Sequence, residues 1–302
     1  MPTVFVGMPC YNSSRYLSKA IESILSQTFC DFRLVISDNK STDNSFDIAR
    51  YYSSMDPRIV AVQHTHNMGA AENFNYLLKQ ADSKYFMFAG SHDCWSDDYI
   101  EKLIVVLQSD EDVVLAFGST VSIDQVGQAQ SLDQTPAINC NEEIPIRRAL
   151  KIVKSLHSCD MVYGVHKFAT LKSCRTEMKC IGPDNVLLVE IALNGKIKFC
   201  ADPIFFRREI RADPVDDDEF RAGQLERITG KKTKNKKFNF RYVVWLWQHM
   251  LSSLHGPGVF HRRVMNMFII GYAFIIRWNQ HLPFSVNCFF RLISPIVRRL
   301  PQ

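Results

Sequence analysis

No C-x-x-C pair occurs in this 302-residue sequence, although it contains nine cysteines. Cys10, Cys30, Cys94, Cys140, Cys159, Cys174, Cys180, Cys200 and Cys288 are scattered and odd in number. This argues against a disulfide framework and a zinc site, and predicts a reducing, cytosolic setting. The start of the chain has no charged leader or cleavage motif and runs directly into a strand pattern, so no signal peptide is expected. No G-x-G-x-x-G fingerprint or Walker loop is present, which makes dinucleotide enzymes and P-loop ATPases poor fits. Acidic residues are missing from the whole of the chain after Glu226, where thirteen Lys and Arg stand. The first 226 residues carry 23 basic against 31 acidic side chains, so a net charge of +5 conceals an acidic body and a basic tail. The acidic body, and a tail too apolar for the purpose, leave no place for a nucleic-acid partner.

Hydrophobic residues make up 46% of the chain, enough for a large core. Thr3–Met8, Phe32–Ser37, Ile59–Gln63 and Tyr85–Ala89 read as strands, each followed by a helical pattern. Leu17, Ala20, Ile21, Ile24 and Leu25 form the apolar stripe of the first helix, for which Ser13 or Ser14 is the expected cap. Four such units in about one hundred residues predict an α/β fold with a mostly parallel sheet flanked by helices. Ligands of open α/β sheets bind beyond the carboxyl ends of the strands. Asp38, Asn67 and Asp93 all follow strands, so they are expected to open onto one crevice.

The stretch Tyr85–Trp95 is central. Five unbroken apolar residues stop at Gly90 and deliver Ser91, His92 and Asp93, with Asp93 placed as an oxygen ligand for a hard cation. Further on, Val113–Ile123 predicts a strand, residues 124–145 a polar loop over the crevice, and Arg147–Leu156 a helix. Met161–His166 predicts a strand, Asn185–Leu193 a helix closed by Gly195, and Ile197–Cys200 and Ile204–Phe206 two short strands leading to Arg207-Arg208. His64 and His66 form an H-x-H pair with no third ligand in view, and are read as loop residues.

Four segments, followed in order by Gly195 and Arg207-Arg208, resemble glycosyltransferase family 2, the inverting GT-A type, over roughly residues 2–212. They are Pro9-Cys10-Tyr11-Asn12, Ser37-Asp38-Asn39-Lys40-Ser41-Thr42-Asp43, Asn67-Met68-Gly69-Ala70-Ala71-Glu72-Asn73 and Gly182-Pro183-Asp184-Asn185-Val186-Leu187-Leu188. Gly195 and Arg207-Arg208 fall where that family has a glycine and paired arginines. The resemblance implies a Rossmann-like GT-A domain over 1–212, with a nucleotide-sugar half to about 120 and an acceptor half from 121. It also implies that Pro9, Tyr11, Asn12 and Asp38 hold a uracil, with Tyr11 on its face and Asp38 accepting from its ring N–H. Tyr11 as a core aromatic and Asp38 as a helix cap are the alternatives. Asn67 and Gly69 would shape the turn beside the ribose, or form an ordinary loop.

The family's metal motif is usually an acidic triplet, and only Asp93 retains its acid here. Asp93 then ligates Mn2+ or Mg2+, Ser91 offers a hydroxyl to the nucleotide, and His92 either ligates a softer ion such as manganese or bonds a phosphate. Arg207 would stabilise the leaving diphosphate, and Asp184 is the implied general base, with a plain N-cap as its alternative. The implied reaction is inverting transfer of a sugar from a nucleotide-sugar donor, expected to be UDP-linked, to a hydroxyl of a glycan or lipid-linked acceptor. A sugar nucleotidyltransferase and a catalytically silent, membrane-docked nucleotide-sugar-binding module stay open. Residues 213–240 read as a charged linker. Residues 241–302 read as a helical, basic and aromatic extension. Its run Met265–Ile276 is too short for a span of about 20 apolar residues. Flanking arginines suit peripheral contact with the anionic inner face of the plasma membrane, against the alternatives of a docked cap or a dimer interface.

Overall fold

The computed structural model describes residues 1–131, 137–155, 158–174 and 183–210. The expected linker at 213–240, the extension at 241–302 and Gly182 lie outside these residues. Strands β1 (Val4–Cys10), β2 (Phe32–Asp38), β3 (Ile59–Gln63) and β4 (Tyr85–Phe88) alternate with helices α1 (Leu17–Leu25), α2 (Ser45–Met55) and α3 (Ala70–Gln80). There follow β5 (Cys94–Trp95), α4 (Tyr99–Ser109), β6 (Val113–Ile123), β7 (Ala129–Ser131) and α5 (Pro145–Ser155). A 3-10 turn (Asp160–Tyr163) leads to β8 (Val165–Lys167), α6 (Phe168–Ser173), α7 (Pro183–Asn194) and β9 (Lys196–Arg208).

All nine strands join one sheet in the order β3-β2-β1-β4-β8-β6-β9-β5, with β7 paired to β6. The first four strands are mutually parallel. β8 is antiparallel to both β4 and β6, and β6 is parallel to β9. Hence β6 and β9 point the same way as β1–β4, and the sheet is mixed but mostly parallel. The alternation of side chains across each strand divides the core into two layers. Val4, Val6 and Met8 pack with α1 and α4 on one face, while Phe5, Val35, Phe86 and Phe88 pack with α5 and α7 on the other. Both faces are covered, which is why the first strands read as continuous apolar runs.

Three local expectations change. The segment Met161–His166 begins in the 3-10 turn, closed by Gly164 N–H on Met161 O at 3.1 Å, and extends only from Val165. The two short strands at 197–206 are one strand. Its pairing jumps from Phe117 opposite Phe199 to Ser119 opposite Ile204, so Ala201-Asp202-Pro203 sits in an irregularity and not in a turn. Ser13 does not cap α1 with its side chain. Its hydroxyl faces Ser91 instead, 2.7 Å away.

Candidate functional site

The carboxyl ends of β1, β2, β3 and β4 place Pro9–Asn12, Asp38–Asp43, His64–Gly69 and Gly90–Asp93 on one rim of the sheet. β9 ends beside them at Arg208. The expected convergence of Asp38, Asn67 and Asp93 on this rim is present.

Asn12 adopts φ +50, a left-handed backbone that Asn tolerates. Its Oδ1 accepts from Thr42 N–H at 2.8 Å, and its own N–H donates to Ser41 Oγ at 3.0 Å. These bonds tie the first loop to the second. They leave the Tyr11 side chain 47% exposed, while Pro9 is half-buried opposite Ser37. Asp38 is fully buried. One oxygen accepts from the Ser41 hydroxyl, and the other from Ser41 N–H and Gln63 Nε2, both at 3.1 Å. An ionised carboxylate has about four acceptor positions, so these bonds occupy most of them. Asn67 is exposed, and its Oδ1 takes Asn39 Nδ2 and Gly69 N–H at 2.9 Å each. Gly69, at φ +87, supplies a conformation other residues avoid. Asn39 also accepts Met68 N–H at 2.9 Å. It is the buried hinge of this corner, and sequence reasoning passed over it although it adjoins Asp38. His64 Nε2 meets Ser37 Oγ at 2.8 Å, in keeping with its reading as a loop residue.

Asp93 has 2% exposure, and its Oδ1 accepts Arg208 N–H at 2.8 Å. Burial raises its pKa, against the pull of His92 and of the Arg208 N–H. His92 Nε2 lies 3.8 Å from Asp93 Oδ2. Two ligands on one octahedral ion, with bonds of about 2.1 Å, stand roughly 3–4 Å apart, so this separation admits a shared cation. No group of three or more His, Cys, Asp or Glu gathers for a metal among the described residues. The residues therefore fit an ion that takes most of its ligands from water and phosphate, as Mg2+ commonly does. Ser91, nearly buried, has its hydroxyl on Ser13. Arg208 clamps the loop: its Nε donates to His92 O at 2.8 Å, and Nη1 to Asp124 O at 2.8 Å.

Arg207 projects to a different group. Nη1 pairs with Asp160 at 2.7 Å, and Nη2 reaches Ser122 at 3.0 Å and Glu209 at 2.9 Å. Asp184 lies in the first turn of α7, half-buried, and the surrounding protein raises its pKa. The Tyr163 hydroxyl is pushed up first by burial, then by the fields of Asp93, Asp184 and Asp160. Carboxylates from three separate segments thus act on one tyrosine. Asp160 had no sequence signal of its own, since it opens a turn that reads as the approach to a strand.

A family model described as "Glycosyl transferase family 2" matches residues 5–164. Curated glycosyltransferases match at 29–37% identity, and the chain spans about half or less of the length of each. The minor teichoic acid biosynthesis protein GgaB of Bacillus subtilis is 26% identical over 201 residues, covering 64% of this chain and 21% of that protein. Among solved structures, S. aureus TarS 1-349 in complex with UDP-GlcNAc superimposes with TM-score 0.62 at 16% identity, over 90% of this chain and 72% of that one. The mannosyltransferase PcManGT of Pyrobaculum calidifontis, in complex with GDP-Man and Mn2+, gives TM-score 0.54 at 15% identity, over 99% and 81%.

Proposed function

Because the chain belongs to glycosyl transferase family 2, we propose that it moves a sugar from a nucleotide donor to a hydroxyl acceptor with inversion. The observation that supports this reading is the rim itself, where the loops after β1–β4 and the end of β9 gather Tyr11, Asp38, Asn67 and Asp93 at one edge of the sheet, with Asp93 held by the Arg208 N–H at 2.8 Å. The donor is a UDP-sugar, in keeping with the UDP-GlcNAc bound by TarS. Tyr11, with its open face, stacks on the base. Pro9, Asn12, Asp38, Asn67 and Gly69 shape the walls, with a Ser41 or Gln63 shift admitting the ring N–H to Asp38. Ser91 and His92 face the ribose and phosphates.

A divalent cation, Mn2+ or Mg2+, bound at Asp93 with His92 beside it, would supply Lewis-acid stabilisation of the departing diphosphate. Mn2+ in PcManGT supports that choice. Arg207 would add positive charge at the end of β9, where it is paired with Asp160 and Glu209. As the anomeric carbon becomes cation-like, Asp184 takes the proton of the acceptor hydroxyl on its far face. The acceptor is a glycan or a lipid-linked glycan, at the inner face of the plasma membrane. The segment 241–302 would make the membrane contact. No helix among the described residues is long and apolar enough to cross a membrane.

Asp184→Asn is expected to lower turnover on the order of 100-fold while leaving UDP affinity in place. Calorimetry with UDP and coupled turnover assays check both, and near-normal turnover removes Asp184 from the mechanism. A base must be unprotonated, and its pKa is raised. The acid limb of kcat/KM should therefore lie above the ordinary carboxylate range, with activity growing as pH rises through it. The burial of Asp93 and its hydroxyl neighbour at position 91 favour one second reading, a silent nucleotide-sugar-binding module. Release of free UDP from a UDP-sugar in the presence of Mn2+ separates the two, since a silent module binds without turnover.

A further inference from the structure

One carboxylate in the crevice has no part in that mechanism. Asp160 opens the 3-10 turn before β8, with its side chain 11% exposed. Its Oδ2 takes Arg207 Nη1 at 2.7 Å, while Oδ1 takes no hydrogen bond from any described residue. Its neighbours fix where it stands. Arg207, which holds it, precedes Arg208, whose N–H holds Asp93. Cys159, just before it, donates its thiol to Asn185 Oδ1 at 2.9 Å, and Asn185 follows Asp184. Asp160 is therefore tied, through Arg207 on one side and Cys159 on the other, to the segments that bound the interval from Asp93 to Asp184.

In an inverting displacement that interval is filled by the sugar ring. The leaving oxygen is on one face of the anomeric carbon and the attacking hydroxyl on the other. A sugar ring carries O–H donors along its edge, and a carboxylate oxygen with open acceptor positions complements them. Arg207, itself held by Glu209 and Ser122, keeps the carboxylate in place. We propose that Asp160 Oδ1 accepts a hydrogen bond from a hydroxyl of the transferred sugar and helps to select which sugar is moved. This rests on the transferase reading above. A merely structural Asp160 would support the fold and Arg207 without distinguishing a nucleotide from a nucleotide-sugar.

The test uses the full chain with Mn2+ and four donors: UDP-glucose, UDP-galactose, UDP-N-acetylglucosamine and GDP-mannose. Release of free nucleotide ranks the donors for the wild type, and calorimetry measures UDP or GDP alone. Asp160→Asn should keep nucleotide affinity within about twofold and lower kcat/KM for the preferred donor about 10- to 100-fold, as expected for a hydrogen bond to a charged group. The ranking of donors should change as well. Asp160→Glu keeps the charge beside Arg207 but moves the carboxylate by one methylene, so it should show the same division if the first variant fails to fold. Unchanged turnover and ranking in a folded variant overturn the proposal. A parallel loss of nucleotide and donor binding overturns it too, because it assigns Asp160 to Arg207 or the fold alone. A wild type that cleaves none of the four donors sinks the transferase reading itself, and this proposal with it.

Discussion

At Gly90 a single absent Cβ sets the position of Asp93. A methyl group there would lie well inside contact distance of Asp93 Oδ2 and 3.1 Å from its Cγ. Gly90 is therefore required by space, and its backbone angle is ordinary. Gly90→Ala should displace the carboxylate while leaving the Tyr11 side of the rim untouched. Changes next to a metal ligand commonly cost 10- to 100-fold, so the Mn2+-dependent gain in UDP affinity should fall by about that factor. Calorimetry with and without Mn2+ measures the gain directly. If the gain persists in a folded variant, Asp93 does not serve the cation. The neighbouring hydroxyls show what one residue type leaves undecided. Ser13 precedes a helix and has the composition of a cap, yet its Oγ is 2.7 Å from Ser91 Oγ, across 78 residues of sequence. Capping and hydroxyl pairing ask for the same side chain, so only the approach of two loops separates them.

At the scale of the element, β6 and β9 explain both the shape of the sheet and the one strand that the sequence divided. Pro203 has no N–H to give a ladder, and Ala201-Asp202-Pro203 has the composition of a turn. The chain continues as a strand because the irregularity in pairing places Pro203 where no ladder bond is needed. Gly118 accommodates it from the other side. A Cβ at 118 would collide with Pro203 O and stand 2.7 Å from the Tyr99 ring. Gly118→Ala should destabilise the protein by about 1–3 kcal/mol, the usual cost of overpacking. Urea denaturation gives the value, and a loss under about 0.5 kcal/mol would mean that the two strands slide apart freely. Gly195 is a second case of the same kind. It follows α7 directly, with its N–H on Ile191 O at 3.0 Å, its φ is not positive, and a Cβ there would run into Val114.

At the scale of the molecule, the first four strands were legible because a sheet covered on both faces writes each strand as an unbroken apolar run. The rim followed from their common direction. What stayed hidden were contacts between loops: Asp160 with Arg207 across the antiparallel insertion, and Asn39 with Asn67 beyond the parallel strands β2 and β3, join segments that no local pattern connects. The same insertion buries His166, on β8 between β4 and β6. Its Nε2 donates to Val162 O at 2.8 Å, and its Nδ1 is buried with no hydrogen-bond partner among the described residues. Phe88 lies edge-on to the ring. Burial lowers the His166 pKa from 6.5 to about 4. The unfolded chain thus takes the proton first as the solution is acidified, and stability is lost. Its contribution is complete above pH 6.5 and falls as pH drops from 6.5 through about 4. The whole shift corresponds to roughly 3 kcal/mol. Other groups titrate in the same range, Asp93 and Asp184 with the opposite sign because their pKa values are raised. The comparison that isolates His166 is therefore wild type against His166→Gln, which keeps an N–H donor and cannot titrate. The stability difference between the two, from urea midpoints at a series of pH values, should move against the wild type by up to about 3 kcal/mol between pH 7 and pH 4. A difference that stays flat would show that the imidazole reaches water in the folded protein, and that the seam between β4, β8 and β6 is open.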